Sequence, residues 1–172
     1  MTRHRVVNGL KYATTCERPE FIPRSRPRGV KGDGLRYERR VAKAIPGAEH
    51  SPWFMYFDHN GEGWCNPDLM LRVPEGIVVL ECKLTDTWQA KAQIEELYAP
   101  VVAMATGERV FGITVARNLS PRTELQSVFG TLSSALERAL AGEIPLLHWL
   151  GTGPIDRPPP KGARPGQARC TP

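Results

Sequence analysis

The chain has 172 residues, 23 Lys/Arg against 18 Asp/Glu, four His, a formal net charge of +5 and 41% hydrophobic content. That length is one domain, or one domain with tails, and that apolar content supports a core, which excludes wholesale disorder. No apolar run approaches the roughly 20 residues that span a bilayer, and no apolar region follows the basic N-terminal residues. Neither a membrane span nor a secretory signal is expected, and the expected compartment is the cytoplasm, or the host cytoplasm if a virus or mobile element encodes the chain.

Residues 1–33 read as a flexible basic arm. RPEFIPRSRPRGVKGDG is rich in Pro, Arg and Gly and lacks an apolar period, so it cannot bury enough surface to offset the entropy of ordering. Arg24, Arg26, Arg28 and Lys31 make it a candidate contact for a polyanion, against the plainer reading of a solubilising tail. Residues 151–172, GTGPIDRPPPKGARPGQARCTP, form a similar basic tail. Residues 1–34 carry +5, 151–172 carry +3 and 35–150 carry −3, so the expected domain, 34–150, is itself mildly acidic.

Asp33 is placed to cap a helix starting near Gly34. Its apolar face holds Leu35, Val41, Ala42 and Ile45, and Glu38 lies on or beside that face, where a carboxylate is costly unless partnered. Pro46-Gly47 ends the helix. WFMYFDH is a strand, HNGEG a turn, WCNPDLMLRV a second strand, PEG (74–76) a tight turn and IVVLECK a third strand. Asp58 and Glu62, near the first turn, read as solvated. TDTWQAKAQIEELYAPVVAMATG is a helix with Ala90, Ile94, Leu97, Val101 and Met104 on one face, kinked at Pro100 and closed by Gly107. ERVFGITVAR is a strand. Ser120-Pro121 opens a helix carrying Leu125, Val128, Phe129, Leu132, Leu136 and Leu140 to Gly142, and IPLLHWL is a last strand. The order α-β-β-β-α-β-α-β predicts an α/β fold with a mixed sheet and helices on its faces.

The chemistry gathers between Asn66-Pro67-Asp68 and Glu81-Cys82-Lys83. A tight turn at 74–75 or 74–76 sets residue 68 opposite 81 or 82, so Asp68 and Glu81 become cross-strand neighbours. Glu81 and Lys83 share one face of their strand, and Cys82 points to the other, into the core. Two carboxylates at one hairpin end repel and rise in pKa unless a cation lies between them. Mg²⁺ suits such a place, being hard, octahedral and content with one or two carboxylates. It would polarise a phosphodiester oxygen and acidify a bound water, with Lys83 orienting that water or neutralising charge on the phosphate. Glu38 could support a metal ligand or bind a second ion, and Gln93 could face the same site.

Pro67-Asp68, twelve intervening residues and Glu81-Cys82-Lys83, with Glu38 on the preceding helix, resemble the PD-(D/E)xK nuclease superfamily of restriction-endonuclease-like fold. The resemblance covers about half of the chain, 34–116, in the order αβββαβ. It leaves an extra α-β pair and the basic tails outside. It implies a Mg²⁺-dependent deoxyribonuclease leaving 5′-phosphate ends, with Mn²⁺ substituting. The implied metal ligands are Asp68, Glu81, the backbone carbonyl of Cys82 and Glu38. An endonuclease is the first reading, structure-specific or junction-resolving. A junction resolvase needs two sites and hence a homodimer, for which helix 121–141 and strand 144–150 could supply the interface. RecB-like and phage-type exonucleases often carry Gln-xxx-Tyr on the helix after the motif. Here Gln93 and Tyr98 are five apart, off the same-face spacing of an α-helix. A non-catalytic nucleic-acid-binding module on the same fold is the rival reading.

No GxxxxGK[ST] occurs, so no ATP use is expected. Cys16, Cys65, Cys82 and Cys170 form no CxxC pair and read as reduced thiols. His50, His59 and His148 have no metal-ligand spacing. Trp53, Trp64, Trp88 and Trp149 are expected in the core, with base stacking the alternative for Trp88.

Overall fold

The structure, a computed structural model, describes residues 6–23, 27–153 and 155. In chain order the elements are β1 (Tyr12–Cys16), α1 (Gly29–Ala44), β2 (Glu49–His50), β3 (Trp53–Asp58), β4 (Gly61–Cys65), β5 (Leu69–Val73) and β6 (Gly76–Thr85). They continue with α2 (Trp88–Gln93), a π-helical turn (Ile94–Tyr98), α3 (Ala99–Thr106), β7 (Val110–Asn118), a 3₁₀ turn (Leu125–Ser127), β8 (Val128–Phe129), α4 (Leu132–Leu140) and β9 (Leu146–His148).

The apolar run Ile77-Val78-Val79-Leu80 places β6 inside a six-stranded mixed sheet of order β2-β5-β6-β7-β9-β8. β2, β5 and β6 are antiparallel, and β6, β7, β9 and β8 are parallel. Strands inside a parallel region are covered on both faces, and β6 is buried along most of its length. One face packs Val78, Leu80, Cys82, Ile113 and Val115 against Tyr37 and Val41 of α1, Ile45 just after it, and Leu132, Ala135 and Ala139 of α4. The other packs Ile77 and Val79 against Ile94, Leu97, Tyr98, Val101 and Val102, beside Phe54 and Tyr56 of a second sheet, β1-β3-β4. This is an α/β fold with a mixed sheet. Among the described residues no helix is long and apolar enough to cross a membrane.

Several sequence expectations are corrected. The arm over 1–33 is partly structured: β1 pairs with β3 from Tyr12↔Phe57 to Cys16↔Trp53, burying Ala13. A free β3 edge takes a strand from far away in sequence, which local composition does not report. α1 starts at Gly29, with Arg28 as its N-cap, and Asp33 lies inside it, paired to Arg36. Arg28 and Lys31 are therefore exposed residues at a helix start, while Arg24 and Arg26 lie outside the described residues. Most of the 151–172 tail also lies outside them, but Ile155 is buried in the same core cluster as residues of α1 and α4.

The expected strand 64–73 divides into β4 and β5 on two sheets, because Pro67 has no N–H to give to a ladder. The helix expected from Pro121 starts only at Leu132, capped by Thr131, whose side chain accepts from the Ser134 N–H. Upstream, Ser120 and Thr123 side chains bind nearby backbone N–H groups and close a local turn instead. α4 packs Leu132, Ala135 and Ala139 into the core, and β9 pairs with β7 inside the six-stranded sheet.

The helix after β6 is interrupted by the π turn rather than simply kinked. Pro100 has no N–H for the Glu96 carbonyl four residues back, and the Val7 N–H takes that carbonyl at 3.0 Å. The Ala99 N–H reaches back five residues to Ile94. Gly112 lets this turn approach β7: a Cβ there would meet Ile94 Cγ2 at 2.5 Å. Gly107, at φ 70°, closes α3 in the left-handed conformation.

Candidate functional site

The β5–β6 hairpin turns on Pro74 and Glu75, pairing Val73 with Gly76 and Leu69 with Leu80. One residue beyond that ladder, Asp68 is level with Glu81. Asp68 Oδ2 accepts the Cys82 backbone N–H at 2.7 Å. Lys83 donates to Glu81 Oε1. The Glu81 side chain is 1% exposed and its Oε2 is buried with no N–H donor, its carboxyl lying within hydrogen-bonding reach of the Asp68 carboxyl, whereas Lys83 is 34% exposed. Asp68, Glu81, Lys83 and the Cys82 backbone thus converge at one hairpin end, with the Cys82 thiol buried on the opposite face.

Burial pushes the Asp68 carboxyl well above the usual range, and the charges of Glu81 and Glu38 push it further, against the Cys82 N–H and Lys83. Burial also raises Glu81, with Lys83 working in the opposite direction. For Lys83, burial works to lower the ammonium, but Glu81 and Asp68 outweigh it and hold it above its ordinary value. A half-neutralised carboxylate pair of this kind is unfavourable by itself and becomes favourable around a cation.

Glu38 lies at the margin. It is held by His50 of β2, Nε2 to Oε1 at 2.6 Å, while its charge still raises Asp68, Glu81 and the Cys82 thiol. His50 is a site neighbour that its sequence position did not reveal, since it meets Glu38 only through the packing of α1 against β2. Among the described residues no three His, Cys, Asp or Glu side chains are gathered closely enough to hold a metal ion by themselves.

Gln93 and Tyr98 are brought together by the π turn. The Gln93 amide donates to the Tyr98 hydroxyl, although five residues separate them. An α-helix would put them on different faces, and the one-residue widening of a π turn restores a shared face. Tyr98 is buried close to the carboxylates: burial first, then Glu81 and Asp68, raise its hydroxyl far above the usual range. Asp58, expected in solvent, is instead buried, accepting from Asn60 N at 2.8 Å and Asn8 N at 3.1 Å. Trp88, expected in the core, is 76% exposed.

No protein-family profile, curated protein or solved structure matches this chain. The donor set itself fits a hard divalent cation. It is all oxygen, and two of its carboxyls are buried against each other with no N–H donor at Glu81 Oε2. Mg²⁺ is held by one or two carboxylates with waters completing the octahedron.

Proposed function

We propose that the chain is a Mg²⁺-dependent deoxyribonuclease with a restriction-endonuclease-like core, acting as an endonuclease on structured or branched DNA. The observation that carries this reading is the pair of buried carboxyls, Asp68 and Glu81, in hydrogen-bonding reach of each other, with no N–H or O–H donor at Glu81 Oε2 and Lys83 beside them. Asp68, Glu81 and the Cys82 carbonyl would hold the cation, with Mn²⁺ able to substitute. When bound, the ion supplies charge neutralisation at the phosphodiester and a water of lowered pKa. Lys83, drawn from Glu81 toward the substrate, orients the attacking water or offsets the charge that builds on the phosphate. Tyr98 and Gln93 back the carboxylates and exclude solvent from behind. Glu38, anchored by His50, adds negative charge at the rim. Exposed Arg28 and Lys31 offset the acidity of the domain and draw DNA toward it.

Cleavage of supercoiled plasmid and of a four-way junction, with Mg²⁺ and with EDTA, tests the proposal in wild type, Asp68→Ala and Lys83→Ala. Metal-dependent cutting lost in both variants is the expected result. DNA binding with no cutting of either substrate overturns it in favour of a non-catalytic binding module.

A further inference from the structure

β6 and β7 run parallel with Glu81 level with Thr114. Ile113 and Val115 face α1 and α4, so Thr114 faces the same side of the sheet as Glu81. Thr114 forms part of the floor of a cavity of about 570 Å³. Its walls come from the β6–α2 connection and the loop after β7. Asp86 ties these two together, accepting from Thr123 Oγ1 at 2.7 Å and donating its backbone N–H to the Asn118 carbonyl at 2.9 Å. Trp88, 76% exposed, stands on this wall with Lys91 and Arg122.

The volume is in the range of small-ligand pockets. An indole left this exposed has a flat face to offer, and stacking an unpaired base on an aromatic ring contributes about 1–3 kcal/mol. Lys91 and Arg122 supply phosphate contacts, while Asp86 and Glu124 bring the lining close to neutral. That balance suits a base carrying one phosphate better than a polyphosphate. The position, one strand over from Glu81, is beside the place where a phosphodiester would be cut.

We propose that this cavity takes one unpaired nucleotide of a DNA strand, its base stacked on Trp88 and its phosphate near Lys91 and Arg122. The identity of the ligand rests on the nuclease reading. The consequence is a preference for DNA with a frayed, flapped or flipped nucleotide over continuous duplex.

The test is fluorescence anisotropy of the full chain in EDTA with a short fluorescein-labelled oligo-dT and a blunt duplex of equal length. Wild type, Trp88→Ala and Trp88→Phe are compared, with melting curves to check folding. Trp88→Ala is expected to weaken single-strand binding about tenfold, with Trp88→Phe retaining it within about threefold and duplex binding moving little in either. Single-strand binding unchanged in Trp88→Ala overturns the proposal, as does an equal loss on single strand and duplex. Cleavage of supercoiled plasmid and of the four-way junction is measured in parallel with Mg²⁺. Cutting without a Trp88-dependent single-strand preference overturns the pocket and leaves the nuclease. The preference without cutting supports the pocket and overturns the nuclease.

Discussion

The Gln93 side-chain amide donates to the Tyr98 hydroxyl across five residues, because Ile94–Tyr98 is a π-helical turn. Tyr98 in turn lies against the field of Asp68 and Glu81. The widened turn therefore couples the second layer of the helix to the carboxylates. Tyr98→Phe removes one partner of a buried hydrogen bond and is expected to cost about 1 kcal/mol in urea unfolding. The same substitution should weaken the Mg²⁺-dependent rise in melting temperature. An unchanged metal response would confine Tyr98 to a packing role.

Asp68→Asn keeps an acceptor for the Cys82 N–H and removes one of two repelling buried charges. The metal-free variant is expected to be about 1 kcal/mol more stable than wild type at neutral pH, as when an uncompensated buried charge is replaced. It should also lose the Mg²⁺-dependent thermal shift. Stability gained without metal and lost with it marks a site maintained at the expense of the fold.

The pH dependence has a definite sign. Asp68 and Glu81 both have folded-state pKa values above their ordinary 3.8 and 4.5. The native state then binds more protons than the unfolded chain, so this contribution is fully present below the ordinary values. It is lost as pH rises through the raised ones. In EDTA the melting temperature should fall as pH climbs above that ordinary carboxylate range, and Asp68→Asn should flatten the slope. With Mg²⁺ the trend should reverse, because ligand deprotonation favours metal. Parallel melting series across pH, with and without Mg²⁺, measure both.

Gly112→Ala would drive a methyl into Ile94 Cγ2, at 2.5 Å from the added Cβ, where the π turn meets β7. Overpacking of this kind costs about 1–3 kcal/mol. The expected result is a lower urea midpoint and, since Gln93 precedes the displaced turn and Tyr98 ends it, a reduced cleavage rate.

Because β1 is part of the fold, deleting residues 1–30 would strip a strand as well as the basic residues. Arg28→Gln with Lys31→Gln tests the electrostatics without that damage. If both residues contact phosphate, the slope of log affinity against log salt should fall in magnitude by about 2, near 0.9 per contact. An identical slope would place the DNA contacts elsewhere.

What could be read from the chain alone is whatever depends on neighbours a few residues away. The hairpin around Pro74-Glu75 has a side-chain period of two, so placing the turn is enough to set Asp68 against Glu81 and to turn Cys82 the other way. Gly107 closes its helix for the equally local reason that it accepts a positive φ. Other features needed partners distant in sequence. β1 exists because β3 has a free edge, Val7 takes the carbonyl that Pro100 leaves open, and His50 reaches Glu38 only once α1 packs beside β2. The π turn that aligns Gln93 with Tyr98 lies against β7 at an approach that only Gly112 permits, and Trp88 is exposed because no described element packs over it. Periodicity and turn chemistry act over one or two turns of chain. Edge pairing, a freed carbonyl and the filling of a core face are decided by which surfaces meet, and only the tertiary structure decides that.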